Sequence, residues 1–197
     1  MVSTKFVKFA GICGILVLIV FLFSLFLSIQ QSSWFSWTDN AISELGKEDA
    51  VTDIFNNGLI ITGILLLVFS IGLSKELKNR FVSPLFFCLS AIFLIALGFI
   101  PLPSIDHVYL SGMFFGAFGY AFFAFGVSFY KDSIPFLRKM SFFAILNLII
   151  VLISPIFLLF FKGEAIPEMI ILMPGFLWCV LFGIKMVVSN SYTYLLE

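Results

Sequence analysis

Apolar residues run along this chain in blocks of about twenty, separated by short polar breaks. About 20 apolar residues in helical conformation cross the hydrocarbon core of a bilayer, so each block predicts a membrane-spanning helix. Six qualify, at about 6–29, 53–73, 84–100, 108–130, 140–161 and 167–189. KELKNR ends the second, and Pro101 and Pro103 stop the third, because proline cannot continue a helix ladder. Ser154-Pro155 predicts a kink in the fifth, and Pro174-Gly175 interrupts the first half of the sixth. All loops but the first are short, so consecutive helices are expected to be antiparallel neighbours. The pattern predicts an all-α, polytopic membrane protein, a bundle of six transmembrane helices in a single domain over 1–197. Lys5 and Lys8 precede the first block in the manner of a signal peptide. The run Phe9–Ile29 is too long for a signal core, and no small-residue cleavage site follows, so it is expected to be retained.

One long polar stretch, Trp34 to Gly63, interrupts this pattern. Trp34, Trp37, Ala41 and Leu45 are spaced by three, four and four residues, one face of a helix. This predicts a short amphipathic surface helix over 38–45 in the first outer loop. Thr38 or Asp39 would cap its start, and Gly46 would sit just past its end. Its tryptophans would lie at headgroup level, where an apolar ring with one N–H donor is accommodated best. Asp49 or Thr52 then caps the next helix, with Asp53 favouring its positive N-terminal end. Asn56 and Asn57 come a turn further in, where unpaired amides are costly and need partners. In the fourth span, Gly112, Gly116, Tyr120, Ala124 and Ser128 follow i+4 steps, with Gly119 nearby. Small residues so spaced predict close packing against a neighbouring helix.

Composition agrees with the pattern. The chain is 61% hydrophobic, carries 28 phenylalanines and is only 11% charged, against about 25% charged in a soluble domain. Mean hydropathy is +1.17. Net charge is zero, which removes any case for nucleic acid. Cys13, Cys88 and Cys179 lie far apart in apolar runs and read as small buried residues, with no disulfide. Charge also predicts orientation. Nine of the eleven basic residues (Lys5, Lys8, Lys75, Lys78, Arg80, Lys131, Arg138, Lys139, Lys185) fall on one side, and only Lys47 and Lys162 on the other. By the positive-inside rule both termini are expected in the cytoplasm, with the protein in the cell membrane. Eight of the eleven acids, all but Glu76, Asp132 and Glu197, fall on the outer side, which makes that side the chemically distinctive one.

Candidate chemistry gathers there. His107 is the only histidine, it follows Asp106, and imidazole titrates near neutral pH. Ser43, His107 and a carboxylate from Asp39, Glu44 or Asp106 would suffice for nucleophilic catalysis if they converge, although no G-x-S-x-G elbow is present. Asp106 serves equally as the cap of the fourth helix. Trp34, Trp37, Asn40, Glu44 and Asn57 are the candidate binding residues. Zinc sites usually take several His or Cys ligands, so no metal and no cofactor is expected. Ionisable residues lie near the interfaces, with Lys185 as the exception, which disfavours an ion-coupled transporter.

With NAISELG at Asn40–Gly46, FNNGLIITG at Phe55–Gly63 and a histidine entering the fourth span, the chain resembles the six-helix membrane family called domain of unknown function 998. The matching positions are Asn40, Ser43, Leu45, Gly46, Asn57, Gly63 and His107, and the resemblance covers roughly residues 8 to 190. It implies the topology and the location of a site, and no reaction. The leading expectation is a protein without its own catalysis: a subunit, assembly factor or lipid-binding element whose acidic outer face meets membrane lipids or other membrane-protein subunits. The alternative is an outward-facing hydrolase or transferase acting on a lipid or lipid-linked substrate. For either, the first loop is expected to fold over the start of the fourth helix, so that Ser43, Asp39 and His107 line one pocket.

Overall fold

The computed structural model describes residues 4–47, 52–77 and 80–188. Six helices account for most of them: α1 Thr4–Gln31, α2 Thr52–Glu76, α3 Val82–Phe99, α4 Ile105–Phe129, α5 Pro135–Ile153 and α6 Ala165–Val188. Among the described residues there is no strand. With the 3-10 turn Ser154–Leu159 that continues α5, every helix is long and apolar enough to cross a membrane. The helices run slightly longer than their apolar blocks. α4 begins at Ile105, three residues before the expected start, because Ser104 caps it by accepting from the Asp106 N–H at 3.2 Å. α5 begins at Pro135, where proline's missing N–H costs nothing. At Ser154-Pro155 the α-helix gives way to the 3-10 turn, at the kink the sequence predicts.

Neighbours in sequence are neighbours in space, and α1 against α6 closes the ring. Glycines set the closest approaches. A Cβ on Gly11 would stand 2.7 Å from the Gly183 carbonyl oxygen, so α1 and α6 meet backbone to backbone. A Cβ on Gly63 would stand 3.0 Å from the Ala91 carbonyl oxygen, which holds α2 against α3. Phenylalanines from α3, α4 and α6 fill the interior around Trp178, which is fully enclosed. Trp178 stacks on Phe87 at 5.4 Å, takes the edge of Phe125 at 4.8 Å, and donates Nε1–H to the Met140 carbonyl at 3.0 Å. An indole N–H in so apolar a place needs an acceptor, and α5 supplies it. At the end that carries the α2–α3 and α4–α5 connections, Arg80 donates to Asp132 at 2.8 Å and to the Ser128 carbonyl at 2.9 Å, over the ring of Phe129.

Two expectations are corrected. Residues 38–45 do not form a helix. Turns through Asn40 lead into a five-residue 3-10 turn, Ile42–Gly46, preceded by extended Ala41, and neither Thr38 nor Asp39 caps it. Trp34 and Trp37 are exposed while Leu45 is 1% exposed, so they share no face. The glycine stripe of α4 is also not a packing seam. Gly112, Gly116, Tyr120 and Ser128 are exposed, only Ala124 is buried, and nothing lies within 4 Å of a Cβ on Gly112 or Gly116. An i+4 step advances about 40° around a helix, so four such steps leave the starting face. Residues seven apart stay on one face, and there Gly119 meets Val151 and Gly126 meets Ile145. Ser141 completes that contact by donating to the Gly126 carbonyl at 2.9 Å.

Candidate functional site

The α1–α2 loop is tied to the α5–α6 connection by backbone. The Gly163 N–H donates to the Thr38 carbonyl at 2.9 Å, and the Ala165 N–H to the Asn40 carbonyl at 3.0 Å. Gly163 is needed for this approach, because any Cβ there would collide with the backbone of Asn40. The Asn40 side chain fixes the loop from inside: Oδ1 accepts from the Ser36 N–H at 2.9 Å, and Nδ2 donates to Glu44 at 2.6 Å. Glu44 also pairs with Lys47 at 3.2 Å. The 3-10 turn has no cap of its own. Instead Glu168, in the first turn of α6, accepts from the Ile42 N–H at 2.7 Å. Asn56 holds the other end of the turn, donating to the Gly46 carbonyl at 3.3 Å, while its Oδ1 has no partner among the described residues. Hydrogen bonds from Ser36 and Thr38, with the nearby Lys162 ammonium, hold the Asp39 carboxyl below its ordinary range.

Anchored this way, the loop roofs one end of the bundle and leaves two adjoining spaces. A cleft of about 520 Å³ is bounded by the loop (Asp39, Ala41, Ser43, Glu44, Lys47), by α4 (His107, Ser111, Gly112, Phe115) and by the entry to α6 (Lys162, Glu164, Glu168). Beneath it, a narrow pocket of about 40 Å³ is walled by Phe21, Phe55, Leu59, Leu94, Leu97, Phe114, Leu172 and Phe176. Ser43, His107, Ser111, Phe115 and Glu168 line both, and so form the waist between a polar space and an apolar one.

His107 is 4% exposed. Its Nδ1 lies 2.6 Å from the Ile100 carbonyl at the end of α3. A carbonyl only accepts, so Nδ1 carries the proton, and in neutral imidazole Nε2 is then left as an acceptor. Ser43 and His107 both line this space, yet no hydrogen bond joins them among the described residues. The orienting partner of His107 is a backbone carbonyl and not a carboxylate.

Of the residues singled out from sequence, Ser43, Asp39, His107 and Glu44 line the same cleft. Asn40 stands behind them and shapes the loop. Asp106 is not part of the cleft: it is exposed in the first turn of α4, and the capping role falls to Ser104. Asn57 is exposed and lines neither space, and the amide that engages the loop is Asn56. Trp34 and Trp37 flank Phe35 edge to face at 6.2 and 5.4 Å outside the cleft, 51% and 40% exposed. Glu168, Ser111 and Lys162 belong to the site and were not singled out. The only signal for Glu168 is a lone acid just inside an apolar helix, where helix N-terminal electrostatics also favours acids. Among the described residues no three His, Cys, Asp or Glu side chains gather as ligands for a metal ion.

Six spanning helices with a roofed polar cleft at one end define a multi-pass helical membrane protein. The chain belongs to the family described as "Protein of unknown function (DUF998)", which matches residues 12–185. No curated protein and no solved structure matches it.

Proposed function

We propose that this protein binds an amphiphile, a membrane lipid or lipid-linked molecule, with the polar head in the cleft, as a lipid-binding element or subunit of a membrane assembly. The observation that carries this reading is the waist, where the same five residues border a polar cleft and an apolar pocket. The cleft volume lies within the ordinary range of ligand pockets, roughly 300–1,000 Å³. The bare Gly112–Gly116 strip on α4 supports entry from the side, since an acyl chain can lie against a helix that presents no side chain there. With eight of the ten described basic residues at the opposite end, the cleft faces outward from a cell membrane, and Trp34 and Trp37 rest at the headgroups. The test is Gly112→Trp. Nothing lies within 4 Å of a Cβ at this exposed position, and tryptophan is a better helix former than glycine, so the fold tolerates it while the indole fills the cleft. Native mass spectrometry of protein purified in neutral detergent is expected to show a bound amphiphile that the variant lacks. Equal lipid content in both proteins overturns the reading.

A second reading, a hydrolase or transferase acting on a lipid or lipid-linked substrate, is favoured by Ser43 and the free Nε2 of His107 on one waist. Ser43 would be the nucleophile and His107 its base. His107→Asn keeps a donor for the Ile100 carbonyl and removes the base. If the reading holds, labelling of Ser43 by a fluorophosphonate falls roughly 100-fold or more in that variant. A Ser43 that reacts no faster than an ordinary surface serine removes it.

A further inference from the structure

The end of the bundle away from the cleft is strongly basic. Among the described residues it carries eight Lys and Arg side chains against two acids, Glu76 and Asp132. Asp132 is already spent. One of its oxygens accepts from Arg80 at 2.8 Å, the other from the Ile134 N–H at 2.9 Å, and its side chain is only 8% exposed. It therefore does not neutralise the basic residues that follow it in sequence. Arg138 and Lys139, in the first two turns of α5, are exposed, and their side chains make no hydrogen bond or ion pair among the described residues. Lys131, in the short connection before α5, is also exposed and lies over the ring of Tyr130 at 5.1 Å. From Arg138, the residues Phe142, Leu146, Ile149 and Ile153 follow along α5 at steps of four, four, three and four, which stay on one face of the helix. These four apolar side chains are 45–61% exposed. α5 with the turn that continues it is the least covered span: 17% of its most apolar stretch is buried, against 39–50% in the other five.

We infer that this face of α5 binds an anionic phospholipid of the leaflet at that end, with its phosphate held by Arg138 and Lys139 and its acyl chains along Phe142, Leu146, Ile149 and Ile153. The site lies at the opposite end from the cleft and is independent of the amphiphile reading. Two observations fit a lipid and not a soluble anion or another helix. The cations stand at the head of a continuous exposed apolar face, so one molecule with a charged head and apolar chains meets both. That face is built of bulky side chains, without the Gly, Ala or Ser that let a second membrane helix approach closely. Charge selects the head. A guanidinium and an ammonium both recognise phosphate, and a surplus of cations at this end attracts a lipid of net negative charge while gaining little from a zwitterionic one.

Two probes with the same acyl chains test this, dioleoylphosphatidylglycerol and dioleoylphosphatidylcholine. Each is titrated onto delipidated protein in neutral detergent, and bound adducts are counted by native mass spectrometry. The phosphatidylglycerol adduct is expected at about tenfold lower concentration than the phosphatidylcholine adduct. In Arg138→Gln/Lys139→Gln that preference is expected to vanish. Both side chains are exposed and unpaired among the described residues, so thermal unfolding without added lipid stays unchanged. Arg138→Gln alone is expected to remove more of the preference than Lys75→Gln, which takes one exposed charge from α2 at the same end. Equal binding of the two lipids, or a preference that survives the double variant, overturns the inference. So does an equal loss in Arg138→Gln and Lys75→Gln, which would mean a general field and no site. A second copy on this face is checked with cysteine at Leu146 in protein lacking Cys13, Cys88 and Cys179: efficient crosslinking into a dimer would show that protein covers α5 and would also overturn it.

Discussion

Asn40 and Glu168 show how single side chains decide whether the cleft exists. Asn40 spends both ends of its amide inside the loop, while its backbone carbonyl receives Ala165. Glu168 reaches across 126 residues of sequence to cap a turn that has no cap of its own. Removing that carboxyl leaves the Ile42 N–H unpaired in partly buried surroundings, a loss of about 1–3 kcal/mol. Glu168→Ala is therefore expected to lower thermal stability in detergent and to speed hydrogen exchange at Ile42, whereas Glu168→Gln does neither. Unchanged exchange in the alanine variant would show that the turn stands without α6. The local half of this arrangement is legible in sequence, because NAISELG places Asn40, Ser43 and Glu44 within one turn of each other. The other half is not. No periodicity links Glu168 to Ile42, and the pairing of Gly163 with Thr38 depends on where two loops meet at the end of a closed ring. Asp106 illustrates the opposite error: adjacency to His107 in sequence suggests a pair, yet successive residues on a helix point about 100° apart, and His107 turns to Ile100 instead.

At the scale of elements, the spans were readable because about 20 apolar residues have one stable disposition in a bilayer. Which face of each span packs was less readable. Almost every position is apolar, so a buried face cannot be told from a lipid-facing one by hydrophobicity, and only small residues mark it. The i+4 stripe of α4 misled for that reason, while the seven-residue pair Gly119 and Gly126 marks the true seam. Two substitutions separate these cases. Gly116→Leu projects into open space and is expected to leave stability unchanged or raise it by up to about 1 kcal/mol through helix propensity. Gly63→Leu must displace the α3 backbone at Ala91 and Ile95 and is expected to cost about 1–3 kcal/mol or more. Thermal unfolding in one detergent, run side by side, checks both, and a destabilised Gly116→Leu would mean that another chain packs on this face. The short loop helix failed for a different reason. Trp34, Trp37, Ala41 and Leu45 do fit a helical face, but hydrogen bonds to Gly163, Ala165 and Glu168 offer the backbone an alternative outside the segment.

For the whole molecule the open variable is the direction in which the cleft faces. An even number of spans puts the ends of α1 and α6 on one side and the roofed cleft on the other. Of the ten Lys and Arg residues among the described residues, Lys47 and Lys162 lie at the cleft end, and the other eight at the end clasped by Arg80 and Asp132. Basic residues in short loops resist translocation, so this split favours retention of the Arg80 end in the cytoplasm. The acids cannot decide the matter, since they contribute little to orientation, but their gathering at the cleft end gives the orientation its chemical consequence. A cleft that faces outward meets amphiphiles of the outer leaflet, and one that faces inward meets the opposite leaflet. The two are distinguished by replacing Cys13, Cys88 and Cys179, then introducing cysteine at Lys162 or at Lys131, both of which are exposed. Intact cells are treated with a membrane-impermeant maleimide. Labelling at 162 and protection at 131, reversed to labelling at both on permeabilisation, is the expected outcome. Labelling at 131 in intact cells would invert the protein, place the cleft in the cytoplasm, and move the proposed amphiphile to the inner leaflet.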